Sequence, residues 1–223
     1  MSMLNEKKLL SVIMLSVSAA GFGQTETFVG SINPRLPAVT ITTQYEKSRD
    51  VDVEMAKTIS SIQIHFRNNI VQTIAYKQDD ESQPVFHRYP NDHPVELKDV
   101  DCDGYKDLLV RLSEGIHGET WYHLYRYEPG KRSFVEYLKF TELPLVSVNY
   151  KSKTVKTSVN SGAAGCVYSA ATYHWVRGEL VPLRDEEQWP GKDDNYTRII
   201  TDSTKGKAVV TQRNVSGKDC HIP

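Results

Sequence analysis

The chain has 223 residues, enough for one substantial core or two small ones, and its 27 Lys and Arg against 28 Asp and Glu leave a formal charge of −1. A near-neutral chain without a basic block has no electrostatic footprint for nucleic acid. No stretch after the first two dozen residues is long or apolar enough to span a membrane.

Taken in order, Lys7 and Lys8, an apolar run from Leu9 to Val17 and small Ser18-Ala19-Ala20-Gly21 have the layout of a secretory signal peptide. The expected division is a signal over 1–23, an N-terminal extension over 24–58, and a β domain over 59–223 with an acidic loop at 99–107. Export implies an oxidising compartment, where Cys102, Cys166 and Cys220 make an odd count. One bridge and one free thiol is the simplest outcome. Cys166 to Cys220 is the first choice, because it ties down a polar C-terminal tail.

Val39-Thr-Ile41-Thr-Thr has strand propensity behind a proline-containing leader. Ile59–Phe66 and Ile70–Tyr76, separated by Arg67-Asn68-Asn69, read as a β-hairpin. The polar, proline-bearing stretch 77–94 reads as loop with a short strand at Val85-Phe86. Trp121–Tyr127 and Phe134–Phe140 form a second hairpin pattern, broken by Glu128-Pro-Gly. Val155–Val159, Cys166–Trp175, a short edge strand at Leu180–Leu183, and a last hairpin around Ile199-Ile200 and Ala208–Val210 complete the pattern. Asp185 to Gln188 has room for one helical turn at most, and no stretch carries a helical apolar stripe. The fold class is all-β and mainly antiparallel.

The stretch Asp99-Val-Asp101-Cys-Asp103-Gly104-Tyr-Lys-Asp107 carries the strongest chemistry. Its carboxylates alternate along one short segment, with a glycine where a tight turn is needed. Such a loop can wrap oxygens around a hard cation, and Ca2+ takes six to eight of them. Asp99, Asp101, Asp103 and Asp107 are the expected carboxylate or water-mediated ligands, and Tyr105 supplies its carbonyl. Val110 stands where an EF-hand would place its last glutamate, and Leu108–Leu112 reads as a buried strand rather than an exit helix.

These residues, with Trp121-x-x-x-Tyr125-x-Tyr127-x-Pro129 and the later Ser161-Gly162, resemble the periplasmic immunity proteins that accompany peptidoglycan-hydrolase effectors of Xanthomonas-type secretion systems. That group is similar in fold to inhibitors of invertebrate-type lysozyme. The resemblance, over about Ile59 to Leu183, implies a calcium-stabilised, twisted antiparallel sheet likened to a single propeller blade. It further implies a periplasmic protein that binds a peptidoglycan hydrolase or lysozyme-like effector. Inhibitors of this kind enter the enzyme's cleft with a loop that begins Ser-Gly, and Ser161-Gly162-Ala163-Ala164-Gly165 matches it. The family continues Ser-Gly-x-x-Tyr; here Gly165 stands at that point and the nearest tyrosine is Tyr168.

Catalysis finds no support among the motifs. The seven histidines show no HExxH or zinc spacing, and neither GxSxG nor a P-loop occurs. The chain is expected not to be an enzyme. The alternative function is a secreted calcium-binding carbohydrate-binding or adhesion module, which would present the rings of Trp121–Tyr127 outward. Side chains alternate along a strand, so Trp121, His123, Tyr125 and Tyr127 are expected on one face and Tyr122 and Leu124 on the other.

Overall fold

The computed structural model describes residues 24–47, 56–67, 69–77, 83–87, 93–144 and 147–220. The expected signal segment lies outside them. The chain divides into two compact units between Gln83 and Pro84. Among the described residues no helix is long and apolar enough to cross a membrane. Among the described residues the architecture is all-β and mostly antiparallel, with three short 3-10 turns.

In the first unit, β1 (Gln24–Gly30), β2 (Val39–Lys47), β3 (Ala56–His65) and β4 (Val71–Ala75) pair in sequence order. Ile41, Thr43 and Tyr45 of β2 are buried at every second position. On β3 the buried Ile59 and Ile62 stand three apart, which strict alternation forbids. A register shift resolves this: Gln44 faces Ser61 and Tyr45 faces Ile59, so Ser60 is the extra residue of a bulge. β1 and β2 are thus members of one sheet with β3. β3 itself runs across position 59.

The second unit begins with β5 (Val85–His87) and contains two meanders. The first joins β6 (Val95–Lys98), β7 (Asp107–Glu114), β8 (Thr120–Glu128) and β9 (Ser133–Glu136). The second joins β10 (Ser147–Asn149), β11 (Thr154–Gly162), β12 (Val167–Val176), β13 (Glu179–Pro190), β14 (Asn195–Asp202) and β15 (Val209–Ser216). The strands therefore belong to several sheets instead of a single one. Val100, Leu109, Leu124 and Phe140 pack with Val155 and Trp175 of the second meander in a common core. Full burial of a side chain of this size contributes roughly 1.5–3 kcal/mol.

Some elements depart from the sequence pattern. β9 stops at Glu136, where the Tyr137 amide donates to the Leu124 carbonyl, and a 3-10 turn over Leu138–Phe140 carries Phe140 into the core. The segment read as a helical turn at 185–188 lies inside β13, paired on both sides by β12 and β14. Leu180–Leu183 is the start of that same long strand. Pro182 is tolerated there because β14 pairing begins only at Arg184, so its missing N–H breaks no ladder on that side. Both parities of β8 are buried: His123, Tyr125 and Tyr127 are covered, and Leu124 lies in the core. The aromatic strand is packing rather than an outward platform.

Candidate functional site

The acidic loop connects β6 to β7 and takes its shape from two left-handed residues, Cys102 (φ 58°) and Gly104 (φ 93°). Only glycine adopts the second conformation without strain. The turn folds the loop's carboxylates onto its own amides. Asp99 accepts from Asp103 N at 3.2 Å and from Gly104 N at 3.1 Å. Asp101 accepts from Asp103 N at 3.2 Å, and Asp103 from Tyr105 N at 2.8 Å. Ligand oxygens of Asp99, Asp101 and Asp107 lie within 4.8 Å of one another. Two oxygens bound at about 2.3–2.6 Å to one calcium ion can be at most about 5 Å apart, so the group fits a hard cation. Asp103 is not in that group.

Asp107 has a second role that spacing does not reveal. It is 1% exposed. One oxygen accepts from Val100 N at 3.0 Å and Asp101 N at 3.4 Å, and the other from Tyr127 N at 3.0 Å. The side chain clamps the loop to β8. Burial, then the Asp101 charge, push its carboxyl up to about 7, against the amides of Tyr127 and Val100. Asp103, though exposed as a residue, is pushed up to about 6 by desolvation within the loop and by the charges of Asp101 and Asp99. Desolvation likewise raises Asp99. In all three, lost hydration is the larger cause and the neighbouring carboxylate charges the smaller one, and both disfavour the ionised form.

The compensating cation on the chain is Arg126, which sequence reading passes over. It reaches Asp101 with Nε at 2.8 Å and Nη2 at 2.6 Å. Its third nitrogen donates to the Gly178 carbonyl at 3.0 Å, in the β12–β13 turn, and its guanidinium lies 5.1 Å from the Trp175 ring centre. The available signal was parity. Arg126 shares a face of β8 with the buried Leu124, where a charged residue needs a partner.

The Ser161–Gly165 stretch forms the tip of the β11–β12 hairpin. Gly162, Ala163, Ala164 and Gly165 all have positive φ, at 122°, 50°, 53° and 90°. Left-handed backbone costs a non-glycine residue about 1–2 kcal/mol. Ser161, Ala163 and Ala164 are exposed while Gly165 is buried. Several contacts hold the tip. Gly162 N donates to Asn160 Oδ1 at 3.0 Å, and Asn160 N donates to Glu119 Oε1 at 2.9 Å. Cys166 is joined to Cys220 by a disulfide, and Cys102 is free.

Beneath the tip lies a buried polar network. Gln188 donates to the carbonyls of Cys166 and Cys220 at 2.8 and 2.5 Å, and accepts from Arg198 Nε at 2.6 Å. Tyr168, expected at the contact surface, is 1% exposed and donates to Glu186 at 2.6 Å. It supports the tip from below because its hydroxyl is taken by a buried carboxylate. Burial works to raise the Glu186 carboxyl, but the Tyr168 and Arg184 hydrogen bonds hold it below the usual range.

Comparison with known proteins finds no matching family model and no matching curated protein. The fold is similar to a solved structure described as that of "a Xanthomonas Type IV Secretion System related protein", with a TM-score of 0.59. The two share 13% sequence identity, and the match covers 85% of this chain and 100% of that one. At that identity the likeness establishes a shared fold.

Proposed function

We propose that this chain is a periplasmic inhibitor or immunity protein that blocks a peptidoglycan-cleaving enzyme of lysozyme type. The observation that carries the reading is the hairpin tip: small, exposed, and fixed in a left-handed backbone by a disulfide and a buried network. A slender preformed loop loses little entropy on entering a saccharide groove. There its Ser161 hydroxyl and backbone amides reach the paired carboxylates of a glycosidase. Residues 161–165 are the proposed contact, and the protein acts by occlusion, not catalysis. The family resemblance and the likeness to a secretion-system related protein support the same assignment.

Calcium is the proposed resident cation of the acidic loop. Asp99, Asp101 and Asp107 hold it, with Asp103 and the Tyr105 carbonyl as further oxygens. The ion supplies charge compensation, and the β6–β9 meander is the blade-like element it braces, a propeller blade being a four-stranded sheet. The test mixes mature protein with a panel of lysozymes and with any hydrolase encoded beside its gene, following turbidity of a cell-wall suspension. Inhibition lost in Gly162→Trp supports the reading. Full hydrolysis by every enzyme, the adjacent hydrolase included, overturns it. Direct binding to isolated glycans then favours a carbohydrate-binding module, a reading consistent with the exposed Trp189.

A further inference from the structure

A cavity of about 210 Å3 opens on the second meander, against the segment Glu142–Pro144. Its floor is set by register. Thr157, Ala171 and Asp185 face one another across β11, β12 and β13, as do Val159, Ser169 and Glu187. Residues two apart on a strand share a face, so Asp185 and Glu187 point to the same side. Glu186 between them points to the other side, into the network with Tyr168 and Arg184.

The groups around this cavity are uncompensated. Among the described residues, the carboxylates of Glu142, Asp185 and Glu187 make no ion pair and no hydrogen bond. Burial and the Glu187 charge raise the Asp185 carboxyl, and burial and the Asp185 charge in turn raise the Tyr173 hydroxyl beside it. A second observation is independent of the charges. Thr157 is 6% exposed, lines the cavity, and its hydroxyl has no hydrogen-bond partner among the described residues. The hydroxyl is not sealed off from solvent, so the exposure it keeps is toward the cavity, and it turns to whatever enters there.

The shape and spacing select the class of ligand. Asp185 and Glu187 sit about 7 Å apart along the strand, and the one carboxylate group close enough to share an ion among the described residues is the Asp99–Asp101–Asp107 set. A bare metal ion therefore suits this cavity poorly. A guanidinium, with five donors in a fixed fork, reaches two carboxylates and a hydroxyl at once. The volume is below the roughly 300–1,000 Å3 of small-molecule pockets and is right for a single long side chain. The cavity also lies on the flank of the hairpin whose tip is Ser161–Gly165. Val159 is three residues from Gly162, about 10 Å along the strand.

We propose that this cavity receives an arginine side chain from the protein that docks over the β11–β12 hairpin. The identity of that protein rests on the inhibitor reading; the preference of the cavity for a guanidinium does not. The probe is N-acetyl-arginine amide, titrated into the calcium-loaded full chain while backbone amide resonances are followed by NMR. N-acetyl-citrulline amide, of nearly equal shape and no charge, is the control. Shifts confined to Thr157, Ser169, Asp185, Glu187 and their neighbours are expected, saturating in the millimolar range and at least tenfold weaker for citrulline. The Asp185→Asn, Glu187→Gln double variant should lose at least tenfold in affinity with an unchanged melting temperature. An equal response to citrulline, shifts centred elsewhere, or full binding by the double variant overturns the proposal. A chain that binds the arginine probe here but blocks no hydrolase sinks the inhibitor reading and leaves the cavity assignment standing. A chain that blocks a hydrolase yet ignores the probe does the reverse.

Discussion

Replacing Asp107 by alanine separates its two roles. The side chain accepts from Val100 N and Tyr127 N, both at 3.0 Å, at a site 1% exposed. Above pH 7, where this carboxyl is ionised, hydrogen bonds to it contribute about 1.5–3 kcal/mol each, and a buried donor left without a partner costs about 1–3 kcal/mol. Two such hydrogen bonds give roughly 3–6 kcal/mol. Relief of repulsion from Asp101 and Asp103 offsets part of this, so a net loss of about 3–4 kcal/mol is expected without metal. Asp107→Asn keeps one acceptor and removes the charge, and should lose about half as much. Urea unfolding followed by tryptophan fluorescence measures both, since Trp121, Trp175 and Trp189 all lie in the second unit. If Asp107→Ala in chelator-treated protein costs less than about 1 kcal/mol, the clamp is not a structural element and the argument from its amide bonds fails.

The same residue predicts a pH dependence. Its folded carboxyl holds a proton up to about 7 against an ordinary value of 3.8, so its stabilisation is complete below that ordinary value and lost as pH rises through 7. The melting temperature of metal-free protein should fall between about pH 4 and 7 more steeply in wild type than in Asp107→Asn, and level off above. Glu186 has the opposite sign: its carboxyl is held low, so its contribution disappears as pH falls below 4.5, and Glu186→Gln should flatten the acid limb of the same titration. Millimolar calcium should raise the melting temperature of chelator-treated protein, less so in Asp101→Ala, with metal content measured alongside; no rise in a verified metal-free sample counts against the ion. Cys220→Ser opens a closure spanning 54 residues and should cost about 4 kcal/mol in denaturant unfolding.

The sequence pattern carried the strand content well where alternation was regular, as at Val39–Tyr45 and in the hairpin at Ile199–Val210. It misjudged places where a local irregularity outweighed the period. Ser60 bulges out of β3, and only the facing register of Gln44 and Tyr45 reveals it. The acidic run Asp185–Gln188 lacks strand propensity, yet neighbours on both sides supply its ladder. Spacing located the acidic loop because its ligands are adjacent in the chain. It could not find Arg126, nor separate Asp107 as clamp from Asp107 as ligand, since both depend on what β8 brings from twenty residues away. Tyr168 looked accessible because it comes just after an exposed loop; its hydroxyl is taken by Glu186 and its ring lies under Arg198, both remote in sequence.

The meander order has a kinetic consequence. From β6 to β9 and from β10 to β15, each strand pairs with its neighbour in the chain, so every ladder can close as a hairpin on the microsecond scale. Thiol oxidation takes seconds to hours. The bond between Cys166 and Cys220 therefore forms on a chain whose strands have already paired, and it acts as a late latch rather than a guide to the pairing. Starting from the reduced chain, wild type and Cys220→Ser should therefore pair their strands at nearly the same rate, and the stability the bond adds should appear only afterwards, as oxidation proceeds.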